Sequence, residues 1–95
     1  MNDLLKTLYL VRALSANPMS SQELQDLLRL SLPTLNRHLA SARDLGAVIT
    51  ARQTNRQWRY HLDNPDAVQN TLTTWIRLEE ERDLTADDFA RPHKR

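Results

Sequence analysis

Apolar residues recur every three or four positions through the first half of the chain, alternate with polar ones over a short stretch, and regain helical spacing after Pro65. The pattern predicts three helices, a strand pair and a fourth helix. Asn2 or Asp3 can cap a first helix running to about Ser15. Leu4, Leu5, Leu8, Tyr9, Leu10, Val11, Ala13 and Leu14 spread almost all round its axis, so it needs cover on most sides, in its own core or against a partner chain. Pro18, within Ala16-Asn17-Pro18-Met19, breaks it. Ser20 and Glu23 then form a capping box for a second helix, striped by Leu24, Leu27 and Leu28 and ending near Leu30. Ser31 follows almost at once as the cap of a third helix over about 32–45, with Pro33 in its first turn where the missing N–H costs nothing. Leu35, Leu39 and Ala42 share its inward face and Leu32 lies at the edge; Pro33, Asn36, Arg37, Ala40 and Ser41 point away. Gly46 stands where a left-handed helix end needs a glycine.

Beyond Gly46 the period changes to two. Val48 and Ile49 open a strand reaching about Gln53, and Trp58, Tyr60 and Leu62 alternate with Arg59 and His61 in a second, giving one apolar and one basic face. The link Thr54-Asn55-Arg56-Gln57 lacks the Asn-Gly or Asp-Gly of a tight hairpin, which predicts a looser loop with Arg56 near its tip. Asn64 and Pro65 start the fourth helix, striped by Val68, Leu72, Trp75, Ile76 and Leu78. Glu79-Glu80-Glu81 marks its solvated end, and Thr85 can cap one further turn through Phe89. Residues 1–90 read as a single domain, and 91–95, RPHKR, as a mobile basic tail.

Ninety-five residues suit one small domain, which buries only about 60–70% of its unfolded surface and gains from pairing with a second copy. The absence of cysteine excludes disulfides and thiolate metal sites. No apolar run approaches the roughly 20 residues of a membrane span, and the start lacks a signal-peptide pattern, so a cytoplasmic, nucleoid-associated protein is expected. The native-looking start and the non-tag end read as a complete chain. Net charge is only +1, yet it is unevenly spread. Arg29, Arg37, Arg43, Arg52, Arg56 and Arg59 face a single acid, Asp44, between Arg29 and His61. Eight acids face Arg77 and Arg82 between Leu62 and Ala90. A basic middle and an acidic end suggest one face for a polyanion and another kept away from it.

The third helix carries the chemistry that fits such a partner. A helix entering the major groove meets the bases with its N-terminal residues. There Arg37 can fork onto guanine, Asn36 can pair with adenine, and Leu32 and Pro33 can touch a thymine methyl. Ser31, Thr34 and Ser41 suit phosphates. Arg52, Asn55, Arg56 and Arg59 of the strand pair reach backbone phosphates or an adjacent minor groove. Trp58 and Tyr60 could stack on unpaired bases, but their alternation assigns them to the core. His38, His61 and His93 have no carboxylate at ligand spacing, and His38 reads as a phosphate contact or flank residue. One glycine cannot build a phosphate-cradling loop, so neither an enzyme nor a cofactor or metal site is expected.

The segment LRLSLPTLNRHLASARDLGAV, residues 28–48, resembles the recognition unit of bacterial winged-helix regulators of the ArsR type. Ser31, Pro33, Thr34, Leu35, Arg37, His38, Leu39 and Gly46 match that pattern, while Asn36 stands where serine is frequent. The stretch DLGAVITARQTNRQWRYHL is also similar to the DNA-binding modules of DeoR-type and WYL-domain regulators. The resemblance spans about residues 4–64 and implies a homodimer on a pseudo-palindromic operator. The metal-binding cysteines of many ArsR-type sensors are absent, so metal sensing is not implied; the effector domain that usually follows in DeoR-type and WYL proteins is absent too, which leaves either a chain complete without a small-molecule sensor or a fragment. The expected fold is mainly α with a small β-hairpin: a winged helix-turn-helix with a three-helix core, a two-stranded wing and an extra C-terminal helix. The expected protein is a homodimeric repressor of bacterial or phage origin that binds double-stranded DNA and acts by promoter occlusion. Helices 1 and 4 would pair through Leu4, Leu5, Leu8, Leu72, Trp75 and Ile76. The alternatives are a winged-helix protein-interaction module and a plasmid or phage replication or partition protein.

Overall fold

A computed structural model of the chain describes residues 3–90, with side chains over 3–82. Helices α1 (Asp3–Ala16), α2 (Ser21–Leu28) and α3 (Leu32–Asp44) precede strands β1 (Ile49–Thr54) and β2 (Gln57–Leu62), and α4 (Pro65–Ala90) follows. The domain is mainly helical with one two-stranded antiparallel hairpin among the described residues. No helix of the described residues is long and apolar enough to cross a membrane. The expected basic tail, 91–95, and the alternative cap Asn2 lie outside the described residues.

Helix α1 is the axis of the core. It packs against α2, α3, α4 and β2, burying Leu5, Leu8, Leu10, Val11 and Leu14. Most of its apolar pattern is thus answered within the chain, with Leu72 and Ile76 of α4 joining the same buried cluster, while Leu4 stays exposed. Helix α2 begins with the expected reciprocal cap: Ser20 Oγ accepts from the Glu23 N–H at 3.1 Å, and the Ser20 N–H donates to Glu23 Oε1 at 2.9 Å. It ends on Arg29, which turns left-handed at φ 56°. Leu24 is buried and Leu28 packs at the core margin, but Leu27 is 57% exposed. On a two-turn helix the buried stripe is narrow, and position 27 lies about 100° from position 28.

Helix α3 closes as its glycine predicts. The Gly46 N–H reaches Arg43 O at 3.0 Å, the Ala47 N–H reaches Ala42 O at 3.1 Å, and Gly46 has φ 107°. Buried Ala42 and Ala47 close the apolar side of that motif. Asn64 fastens the exit: its Oδ1 accepts from the Val48 N–H at 2.9 Å and its Nδ2 donates to Gly46 O at 3.0 Å.

The hairpin differs from expectation at its tip. Thr54 pairs with Gln57, so only Asn55 and Arg56 connect the strands. Both have positive φ, 52° and 66°, the conformation of a tight type I′ turn rather than a looser loop. This turn's twist matches that of the strands, which favours it even where arginine holds the position glycine prefers. The base of the hairpin is anchored by Met19, whose N–H reaches Tyr60 O at 3.2 Å while its carbonyl accepts from the Tyr60 N–H at 2.7 Å. Burial fades toward the tip, and Trp58, expected in the core, is 62% exposed. It shares a face with Tyr60 and Leu62 but stands beyond the end of the core that covers them.

Helix α4 also departs from the expected pattern. It runs unbroken for 26 residues, through Glu79-Glu80-Glu81 and past Thr85. No glycine or proline lies between 66 and 90, and glutamate, arginine and leucine are good helix formers.

Candidate nucleic-acid interface

The outer face of α3 is open. Leu32, Pro33, Asn36, Arg37 and Ala40 are exposed, and Thr34 and Ser41 are half-buried. Exposed Ser31 is occupied in capping: its Oγ accepts from the Thr34 N–H at 3.4 Å and donates to Thr34 Oγ1 at 3.0 Å. Leu35, Leu39 and Ala42 are buried beneath, as their spacing predicts. Arg37 Nη1 donates to Asp3 Oδ2 at 3.1 Å, tying α3 to the start of α1. That bond, with the guanidinium's charge, holds the Asp3 carboxyl below its ordinary value.

His38 is not on this face. It is buried, with Nδ1 2.7 Å from Thr7 Oγ1. Thr7 Oγ1 also lies within donating reach of Asp3 O at 3.2 Å; the tautomer that satisfies both contacts is the one in which His38 Nδ1–H donates to Thr7. Nε2 is then an acceptor, buried without a partner. Burial, followed by the Arg37 charge, pushes the imidazole below its ordinary pKa, so it is neutral at pH 7. The reading as a phosphate contact is corrected: position 38 follows Leu35 by three and precedes Ala42 by four, which is the inward face.

On the hairpin, Arg52 and Arg59 are direct cross-strand partners. Like charges so placed repel, and each has an acid nearby. Arg52 Nη2 donates to Asp63 Oδ1 at 2.7 Å, and Arg59 Nη1 lies 3.8 Å from Glu23 Oε1. Arg59 Nη2 also donates to Gln57 Oε1 at 2.8 Å. The Glu23 carboxyl is lowered first by the Ser20 N–H, with Arg59 a smaller cause. Asn55 and Arg56 are exposed at the tip, and Arg56 has no ion pair among the described residues. Arg43, part of the basic middle, is exposed but braces the fold, its Nε and Nη2 donating to Ile49 O at 3.3 and 3.1 Å. Among the described residues no hydrogen bond or ion pair joins Asn36 or Arg37 to Arg52, Asn55, Arg56 or Arg59.

The residues expected at a dimer seam divide. Leu5, Leu8, Leu72 and Ile76 are buried within the chain, whereas Leu4 and Trp75 are exposed. These two line a shallow recess with Leu45 and Leu78, both also exposed, and Glu79. Sequence reasoning did not find Leu45 there, because it lies at the very end of α3 where periodicity loses its hold. Among the described residues no group of three or more histidines and acids is placed to hold a metal ion. No protein family, curated protein or solved structure matches this chain.

Proposed function

We propose that the chain is a winged helix-turn-helix regulator that binds double-stranded DNA in a sequence-specific manner, with α2 and α3 as the helix pair and the hairpin as the wing. The observation that carries this reading is the division of α3. Its inner face is locked into the core, while its outer face offers Arg37 and Asn36 from the first turns with small Ala40 behind them. A rigid helix with an accessible fork donor near its N-terminus is what base readout in the major groove requires. The basic hairpin supports it by supplying phosphate or minor-groove contacts. We further propose a homodimer on a pseudo-palindromic operator, acting in the cytoplasm as a repressor by occlusion, since so small a protein has little surface left to recruit a polymerase.

The test is binding to sequences selected from a random DNA pool, which also reports the symmetry of the site. In gel shifts on the selected duplex, Arg37→Ala should cost about 1–3 kcal/mol of binding if it contacts a base. Unchanged affinity would remove α3 from the interface. A second reading, a protein-interaction module, is favoured by the exposed apolar group Leu4, Leu45, Trp75 and Leu78. Salt separates the two: phosphate contacts make affinity fall steeply with ionic strength, and a docking module has no DNA affinity to lose.

A further inference from the structure

Trp58 is the most exposed large apolar side chain among the described residues, at 62%. Gln53 stands directly across the strand pair, and on the same face the residues toward the base are Ala51 and half-buried Tyr60. A shallow recess lined by Ser21, Ala51, Arg59 and Tyr60 adjoins the indole. Two features say what meets this surface. The first is charge: residues 49–62 hold no acid, and Arg56 stands at the tip two residues from Trp58, while Arg52 and Arg59 pair on the opposite face of the ribbon. The second is the tip, where Asn55 and Arg56 both hold left-handed backbone. For an arginine that conformation carries a steric strain that glycine avoids. A long cation kept there at such a cost points to work for the side chain itself.

Resting on the DNA-binding reading above, we propose that Trp58 contacts duplex DNA directly, lying in the minor groove beside the hairpin tip. The minor groove is about 6 Å wide and presents only acceptors at A·T pairs. A two-residue turn is narrow enough to enter it. Arg56, Asn55, Gln57 and Gln53 supply donors, and the indole N–H is a donor with no acceptor to be rejected. The ring then packs on deoxyribose or wedges at a base step, as large apolar side chains do in this groove. Guanine's N2 amino group obstructs such a fit, so the contact favours A·T over G·C.

The chain has two tryptophans, so Trp75→Phe leaves Trp58 as the sole reporter. This variant is titrated with random-sequence duplex DNA and with the same pool as single strands. Duplex should quench Trp58 emission and cut its quenching by acrylamide several-fold. In the otherwise native chain, Trp58→Ala should weaken duplex binding roughly tenfold and leave the salt slope unchanged, whereas Arg56→Ala should lower that slope by about 1. Trp58→Phe should keep most of the affinity. Replacing guanine by inosine removes the minor-groove amino group and leaves the major groove intact. It should tighten binding to a G·C-rich duplex, and Trp58→Ala should abolish that gain. If the parent protein binds duplex while Trp58 emission and the Trp58→Ala affinity stay unchanged, the contact is refuted and the DNA reading survives. Preference for single strands overturns the duplex contact in favour of stacking on unpaired bases. Emission that shifts on dilution without DNA means a second copy covers Trp58, which also overturns it. If the parent binds neither form of DNA, both readings fall together.

Discussion

His38 is held neutral by the core around it. Its Nδ1 is paired with Thr7 Oγ1, its Nε2 has no partner, and burial and the Arg37 charge oppose a second cation. The folded protein therefore protonates this ring below the ordinary value of 6.5, while the unfolded chain protonates it there. Above pH 6.5 neither state carries the proton and the full stability is present. As the pH falls below that value the unfolded chain binds the proton first, and stability declines until the lower folded pKa is passed. Melts at about pH 7.5 and about pH 5.5 should show a loss of Tm that His38→Gln largely removes. An equal loss in the variant counts against the buried neutral ring. Asp3 and Glu23 act in the same direction only at lower pH, since their ordinary values are 3.8 and 4.5. His38 and Trp58 also show what a single residue reveals in a sequence. Spacing placed position 38 inside, but its polar type drew it outward. Type drew Trp58 inside, but its place next to the turn put it beyond the reach of the core.

At the level of elements, the legible parts were those with local chemistry of their own. The Ser20–Glu23 reciprocal cap, the Ser31 cap with Pro33, and the Gly46 closure are each written in two or three neighbouring residues and form as read. The hairpin turn was not legible, because Asn-Arg is no preferred turn pair and its geometry is imposed by strand twist and register. The length of α4 was misjudged because an acidic run marks solvent, not a helix end. The turn offers a test with two opposite signs. Arg56→Gly should stabilise the domain by about 0.5–1 kcal/mol, since glycine adopts positive φ without strain. The same change should weaken DNA binding and reduce its salt slope by about 1. Thermal melts and salt titrations of one variant read both. A gain in stability with undiminished binding would assign Arg56 no contact.

For the whole molecule, the exposed apolar residues left after folding are the informative ones. Four of six seam candidates are consumed inside, so the proposed pairing of helices 1 and 4 is left with Leu4 and Trp75, which share a recess with Leu45 and Leu78. This division was out of reach of periodicity, which shows that a helix has an apolar face but not which neighbour covers it. Sedimentation at about micromolar concentration should give twice the chain mass, and Leu78→Glu should return the monomer with little loss of Tm, because position 78 is already half in solvent. A monomer in the parent protein removes the symmetric operator from the proposal.

The ion pairs Arg37–Asp3, Arg52–Asp63 and Arg59–Glu23 have a further consequence. Each carboxylate is a tethered competitor for the cation that DNA would take, present at a fixed local concentration. On the DNA-binding proposal, binding would therefore exchange one partner for another at three points, and rising salt would loosen the internal pairs while it screens the phosphates. The two effects offset, so the measured salt slope understates the number of arginine contacts. Asp3→Asn, which frees Arg37, should raise affinity at low salt and steepen the slope. On the DNA-binding proposal, the protein's acids would thus set how dilute its surroundings must be before it engages a polyanion at all.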